Sequence, residues 1–223
     1  RNYVDFSKGG NFMKGLLIKD FYSIKKVKNM YLILTGILVA FCFIRGLNNF
    51  IVLVPILIFS TTITSTFSMD KNVKWDKLAV PAPLERSEIV KSKYILLLII
   101  TGIGIVTGLI LSLPGLVMKE ISLNVFLEMT LFSTGIALCS GSLSISFIYL
   151  SNSVIDKMEL LTVFSYAGSA MIVIGIGKIL EFINGFLKWS KLSLSVVSFL
   201  IVLVVFFVSY AISVNAYYKR DIS

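Results

Sequence analysis

The sequence contains no histidine among its 223 residues. This absence excludes HExxH zinc sites, histidine-assisted nucleophiles and imidazole proton relays. The GxSxG nucleophile elbow and the phosphate-binding loop GxxxxGK(S/T) are missing as well. No aspartate lies deep in an apolar run, so nothing supports a membrane protease with paired carboxylates. We therefore predict that the chain is not an enzyme and binds no metal or cofactor itself.

Charged residues are also scarce, at 15% of the chain against 57% hydrophobic residues, and the mean hydropathy is +0.91. A soluble domain of this length needs more polar surface to cover its core, so hydrocarbon must solvate much of this chain. The two cysteines both lie in apolar runs, which does not indicate a disulfide framework. The net charge of +9 raises the possibility of nucleic acid, but in a membrane protein basic residues usually report orientation.

Six apolar runs are long enough to cross a bilayer as helices, which takes about 20 residues. They cover residues 29–46, 49–69, 94–117, 124–150, 160–181 and 192–216. A β-barrel is excluded because these runs lack alternating apolar and polar positions. We predict an all-α membrane protein with six transmembrane helices.

Basic residues set the predicted orientation. Six spans place both chain ends on one side, and 16 of the 21 lysines and arginines fall on that side, together with the 70–93 loop. Since basic residues are retained in the cytoplasm, the termini and this loop are predicted to be cytoplasmic. The predicted location is a bacterial-type plasma membrane, with the acidic residues Glu128 and Glu181 near the outer ends of their spans.

The segment before the first span has its own pattern. Met13 is the first residue of a stretch typical of a native start, so residues 1–12 are expected to be a non-native leader and 13–223 a single transmembrane domain. Apolar residues at helical spacing in 13–29 predict an amphipathic helix in the cytoplasmic interface. The alternative is a simple polybasic anchor that fixes topology.

Small and hydroxyl-bearing residues remain inside the spans. Ser60, Thr64 and Ser68 are four residues apart and form one helix face, which is either a weakly polar wall of a transport pathway or a set of hydroxyls bonded to backbone and neighbouring helices. Glycines in the third and fifth spans predict close helix contacts. These are Gly104, Gly108, Gly168, Gly175 and Gly177.

The loop between spans two and three is longer than a simple connection requires. Trp75, Leu78 and the prolines at 81 and 83 give it an apolar spine, and residues 84–93 have the charge pattern of a helix start. These features predict that a partner holds the loop.

The same stretch carries a family resemblance. The segment FSMDKNVKWDKL (67–78), followed by PLERSEIVKSKY (83–94), resembles permeases of the ABC-2 type, in which a charged stretch with Trp precedes Pro, Arg and Lys. The opening MKGLLIKDF (13–21) is similar to their N-terminal interface helix, and the resemblance extends over 13–220. It implies the architecture of a type V exporter-like permease.

In such a permease the 70–93 loop is a coupling helix seated on a separate ABC ATPase subunit, which binds the ATP and Mg²⁺. The resemblance also implies a second permease chain, either a copy or a paralogue, and a second cytoplasmic contact at residues 152–160. It further implies that 178–191 folds back into the outer leaflet. The candidate coupling residues are Trp75, Asp76, Leu78, Pro83, Arg86, Glu88, Ile89, Asp156, Lys157 and Glu159.

The leading functional hypothesis is therefore the permease subunit of an ATP-driven exporter, with membrane lipid around it and no nucleic-acid partner. Hydroxyls and apolar walls without buried charge suit amphipathic or hydrophobic cargo, and the closest style is that of cytolytic or antimicrobial peptide exporters such as those for phenol-soluble modulins. Lipid, drug or polymer-precursor export stays open. The alternatives are an ion-coupled secondary transporter, which needs ionisable residues near the bilayer midplane, and a non-transporting scaffold or sensor.

Overall fold

The computed structural model describes residues 9–73, 85–119, 121–150, 158–187 and 189–219. These residues form long α-helices and a short 3₁₀ turn at Asn48–Phe50, and they include no β-strand. The α-helices are α1 (Gly9–Ile44), α2 (Leu53–Asn72), α3 (Arg86–Val117), α4 (Leu123–Leu150), α5 (Met158–Leu187) and α6 (Lys191–Tyr218). The all-α prediction is confirmed.

Six of the described helices are long and apolar enough to cross a membrane, which confirms the six predicted spans. Several extend beyond their predicted bounds. α3, for example, begins at Arg86 rather than at residue 94 and has 32 residues, or roughly 48 Å at 1.5 Å per residue. Because the hydrocarbon layer is only about 30 Å thick, the ends of such helices project out of it.

The first helix is continuous from Gly9 to Ile44, so the structure does not confirm a separate interfacial helix at 13–29. Leu16 and Asp20 are buried in this part of α1, which therefore packs against other helices rather than lying alone on a membrane surface. The helix also runs across the predicted boundary between residues 12 and 13. It ends where Gly46 adopts a left-handed φ of 67°, a conformation that glycine takes without steric cost.

α4 lies at the centre of the bundle and contacts α2, α3, α5 and α6. Of its most apolar 18-residue window, 78% is buried, against 17% in α5 and in α6. Helices in a membrane associate through close packing of small residues, and α4 is rich in serine and glycine between Ser133 and Ser146. Its composition therefore explains why it occupies the interior position.

Glycine brings α2 and α3 into close contact. A Cβ on Gly104 would lie 2.9 Å from the Cα of Ile56, and a Cβ on Gly108 would lie 2.9 Å from the carbonyl oxygen of Val52. Both distances are shorter than van der Waals contact, so the predicted packing role of these two glycines is confirmed. The three glycines of α5 predicted to make close contacts differ, since a Cβ on any of them has no neighbouring heavy atom within 4 Å; they are Gly168, Gly175 and Gly177.

Most of the segment 178–191 belongs to α5, which continues to Leu187, and α6 begins at Lys191. Near the end of α5 the side chain of Asn184 accepts a hydrogen bond from the backbone N–H of Trp189 at 2.6 Å, and Ser190 caps α6. The expectation that 178–191 re-enters the membrane is therefore wrong for the described residues, because most of this segment extends α5.

Candidate functional site

The described structure covers part of the predicted coupling surface. Residues 74–84 and 151–157 lie outside the described ranges, and so does the side chain of Glu159 in the first turn of α5. The predicted contacts within these ranges stay predictions; they are Trp75, Asp76, Leu78, Pro83, Asp156, Lys157 and Glu159. Arg86, Glu88 and Ile89 are described, and they lie in the first turn of α3.

The start of α3 has the character of a helix N-terminus. Glu85 is the N-cap residue in an extended conformation, and its carbonyl accepts the backbone N–H of Glu88 at 3.0 Å. Glu88 lies in the first turn, where a negative charge is favourable next to the positive end of the helix dipole. The predicted helix start is thus confirmed. Ile89 is buried in the core of this chain, with 8% of its surface exposed.

Arg86 joins the start of α3 to the end of α6. Its Nη1 donates to the carbonyl oxygens of Tyr217 and Tyr218 at 3.3 and 2.9 Å. The last carbonyls of a helix have no partner inside the helix and lie at the negative end of its dipole, so a guanidinium there is stabilising. The family resemblance made Arg86 a candidate contact to a separate ATPase subunit. The structure places helix-end carbonyls of the same chain next to it.

Next to this helix start, four charged side chains from three helices form a buried ionic cluster. Lys19 and Asp20 come from α1, Asp70 from the last turn of α2, and Lys93 from the third turn of α3. Lys93 Nζ lies 2.9 Å from Asp20 Oδ1 and 2.7 Å from Asp70 Oδ2. Lys19 Nζ lies 2.5 Å from Asp70 Oδ1 and 3.2 Å from Asp20 Oδ1. Each ammonium thus contacts both carboxylates.

The cluster is balanced in charge and shielded from solvent. The exposed fractions of the side chains are 1% for Asp20, 4% for Lys93, 14% for Asp70 and 25% for Lys19. An ammonium has three donors, and Lys93 directs them to the two carboxylates and to Thr66 Oγ1 at 3.2 Å. The face of the Phe67 ring lies 4.8 Å from Nζ and adds a cation–π contact. Lys93 is therefore fully coordinated inside the protein.

The cluster fixes both ends of the loop between α2 and α3. Asp70 precedes the loop and Lys93 follows it, and their ion pair holds the two helix ends together while Lys19 and Asp20 attach both to α1. A buried ion pair broken on one side leaves an uncompensated charge, which costs about 3–5 kcal/mol. Any displacement of the last turn of α2 or the start of α3 relative to α1 must therefore break a costly contact.

The comparison with protein families decides the identity. A family model described as ABC-2 family transporter protein matches residues 15–218, a range that includes the ionic cluster and the membrane-spanning part of all six helices. The chain belongs to the ABC-2 transporter family. Comparisons with curated proteins and with solved structures give no significant match. The family assignment confirms the sequence resemblance and makes this chain a multi-pass membrane subunit of a transporter.

A second polar cluster attaches α3 of this ABC-2 permease to the other side of the bundle. Tyr94, the neighbour of Lys93, contacts Ser213 Oγ at 2.8 Å and Ser209 Oγ at 3.0 Å through its hydroxyl. Ser146 on α4 contacts the same two serines of α6 at 2.9 and 2.6 Å. The first turns of α3 are thus held by charge to α1 and α2, and by hydroxyls to α4 and α6.

The hydroxyls on the predicted pathway face are packed between helices in this ABC-2 permease. Ser60 has no exposed surface, donates to the carbonyl of Leu57 at 2.8 Å and contacts the hydroxyl of Tyr166 on α5. Thr64 is 8% exposed, and Ser68 donates to the carbonyl of Thr64 at 3.3 Å. This geometry is that of the packing alternative, in which hydroxyls bond to backbone and to a neighbouring helix. The pathway-lining role of these three residues stays a prediction.

The sequence-based predictions did not include the ionic cluster. They assigned the segment 13–29, which contains Lys19, to an interfacial helix, and they used the basic residues of the 70–93 loop, which include Lys93, only to set the orientation. The sequence did contain one indication of the ionic cluster. Asp70 and Lys93 of this ABC-2 permease lie at the two junctions between the loop and the predicted spans, where a charged side chain leaves the membrane next to another helix. That signal does not identify partners, because Asp20 and Lys93 are 73 residues apart and meet only through helix packing.

Proposed function

We propose that this ABC-2 permease is the transmembrane subunit of an ATP-driven exporter, powered by a separate ABC ATPase subunit that docks on the 70–93 loop. The observation that carries the proposal is the buried ionic cluster, which binds both ends of that loop to α1. A movement of the docked ATPase would shift Asp70 and Lys93 together, and the cluster would pass the shift to α1. Arg86 and Tyr94 would pass it to α4 and α6.

The proposed complex contains two permease chains, the second being a copy or a paralogue, and two ATPases that bind ATP and Mg²⁺. The proposed orientation has both termini in the cytoplasm of a bacterial cell. The proposed cargo is amphipathic or hydrophobic, with cytolytic or antimicrobial peptides as the first class to test. Support for this cargo comes from the spans themselves, whose described polar groups are mostly hydroxyls bonded within the bundle, while the four ion pairs lie towards helix ends.

Docking is tested with Trp75→Ala in the permease reconstituted with its co-purifying ATPase. If Trp75 is a central interface anchor, its removal weakens docking by about 2–4 kcal/mol and lowers both complex yield and ATP-driven peptide transport. Trp189→Ala is the matched control, since the chain has two tryptophans and Trp189 follows α5 at the opposite end of the bundle. Normal complex yield and normal transport in Trp75→Ala would refute docking on this loop.

An ion-coupled secondary transporter is the second candidate, and the buried lysines and aspartates are the observation in its favour. Their position argues against it, because Asp70 is two residues before the end of α2 and Lys93 is in the third turn of α3, away from the midplane where such sites lie. Transport that persists without ATP and stops when ion gradients are dissipated would favour this candidate. Transport that requires ATP and is insensitive to ionophores would eliminate it.

A further inference from the structure

A cleft of about 440 Å³ lies between α4, α5 and α6, at the end of the bundle opposite the ionic cluster. Its volume is within the range of about 300–1,000 Å³ that is typical of small-molecule sites. Neither the predicted coupling surface nor the predicted pathway face includes any of its residues.

Four charged side chains line this cleft, two acidic and two basic. Glu128 comes from the second turn of α4, Lys178 and Glu181 from the last third of α5, and Lys191 from the first position of α6. The ion pairs among the described residues all belong to the cluster around Lys93, so none joins these four side chains to one another. The cleft thus offers both signs of charge at one end, with a net charge of zero.

The other end of the cleft is apolar. Gly135 lies seven residues beyond Glu128 along α4, and Val202 lies eleven residues beyond Lys191 along α6. At 1.5 Å per residue these positions are roughly 10–16 Å deeper in the bundle than the charges. Leucine, valine and phenylalanine side chains form most of the wall in between, and Ser195 and Ser198 are its polar members. The cleft is therefore amphipathic along its length, with charges at the membrane boundary and an apolar floor in the bilayer.

We propose that this cleft binds a phospholipid with a zwitterionic head group. Its phosphate would lie against Lys178 and Lys191, its ammonium against Glu128 and Glu181, and one acyl chain would lie along the apolar floor. Two acidic and two basic side chains complement a head group that carries one charge of each sign, whereas an anionic head group would meet unfavourable carboxylates. The site does not depend on ATP or on the ATPase subunit.

The steric test uses two glycines of α5. A Cβ on Gly177 meets no heavy atom within 4 Å, so Gly177→Leu fits the helix and places its side chain in the cleft. Gly168→Leu is the matched control, because a Cβ on Gly168 is equally unobstructed and the residue is outside the cleft. The purified permease in an uncharged maltoside detergent is titrated with lysophosphatidylethanolamine, and binding is measured by native mass spectrometry. We expect affinity to fall about tenfold or more in Gly177→Leu and to change less than about twofold in Gly168→Leu.

The electrostatic test uses the four charges of the cleft, of which Lys178, Glu181 and Lys191 are exposed and Glu128 is half-buried, and glutamine replacements keep the helices intact. Glu128→Gln with Glu181→Gln removes the acidic pair, and we expect it to weaken lysophosphatidylethanolamine binding about tenfold while lysophosphatidylglycerol binding is unchanged or stronger. Lys178→Gln with Lys191→Gln weakens binding of both lipids, since both carry a phosphate.

Two outcomes would overturn the proposal. The first is equal lysophosphatidylethanolamine affinity in the wild type, in Gly177→Leu and in both charge variants. The second is binding without head-group preference that an amphipathic helical peptide displaces, which would assign the cleft to peptide cargo rather than to lipid.

Discussion

Lys93→Met is the most informative single substitution in this permease, because it removes a charge and keeps most of the side-chain volume. In the wild type the ammonium is 2.9 Å from Asp20 and 2.7 Å from Asp70. At an effective dielectric constant of about 20, each of these pairs corresponds to roughly 6 kcal/mol of attraction, most of which offsets the cost of burying the charges. The variant leaves two carboxylates, one of them 1% exposed, with Lys19 as their remaining cation in the cluster.

We expect Lys93→Met to destabilise the folded permease by about 3–5 kcal/mol, the range for breaking a buried ion pair on one side. The measurement is reversible unfolding in mixed micelles of dodecyl maltoside and sodium dodecyl sulfate, followed by circular dichroism. Lys91→Met is the matched control, since Lys91 is exposed and lies only two residues before Lys93 in α3, and such surface changes stay within about 0.5 kcal/mol.

The double variant Lys93→Met with Asp20→Asn separates charge from packing. Because it removes the buried carboxylate together with its partner, we expect it to be more stable than Lys93→Met alone. A loss below about 1 kcal/mol in Lys93→Met would refute the argument, since this is the typical effect of any point substitution. The argument would also be refuted if adding Asp20→Asn to Lys93→Met lowered the stability by as much as Asp20→Asn lowers it in the wild type.

Three further predictions follow from the packing and from the topology. Gly104→Ala should destabilise the fold by about 1–3 kcal/mol because its Cβ would lie 2.9 Å from the Cα of Ile56, whereas Gly168→Ala, with open space around it, should be neutral or slightly stabilising in the same unfolding assay. Equal effects at the two glycines would contradict the close contact between α2 and α3. Arg86→Ala should lower the free energy of unfolding by about 1.5–3 kcal/mol, because it removes the charged hydrogen bonds to the end of α6. It should also increase amide hydrogen exchange in the last turn of α6, and unchanged exchange there would refute the attachment. A cysteine at Lys188 should react with an impermeant maleimide in intact cells, whereas one at Lys77 should react only after lysis; the reverse pattern would invert the predicted orientation.

The sequence predicted the number of helices because a bilayer imposes a severe constraint. Each span must satisfy its own backbone hydrogen bonds and requires about 20 apolar residues, so six such runs predict six helices without knowledge of their neighbours. The ends of the helices were less predictable. α1 and α3 continue through charged residues such as Lys19 and Lys93, because those side chains find partners on adjacent helices instead of ending the helix.

Residues that are alike in type or adjacent in the sequence have different roles in the structure, which the sequence could not distinguish. Gly104 and Gly168 both stand in apolar runs, but only Gly104 faces another backbone at close range. Tyr94 and Lys93 are adjacent, yet one joins a hydroxyl cluster on α4 and α6 while the other joins the ionic cluster on α1 and α2. Helical periodicity places neighbours on different faces, but it does not say which helix each face contacts.

The sequence by itself thus determined the membrane class, the six spans and the resemblance to ABC-2 permeases, since these depend on composition, run length and local motifs. Only the tertiary structure decided that Lys19, Asp20, Asp70 and Lys93 form one buried cluster, and that Arg86 bonds the end of α6. The physical reason is that a charge can leave water at low cost only when an opposite charge arrives beside it. The pairing of these charges depends on how three helices pack, and the local sequence does not determine that packing.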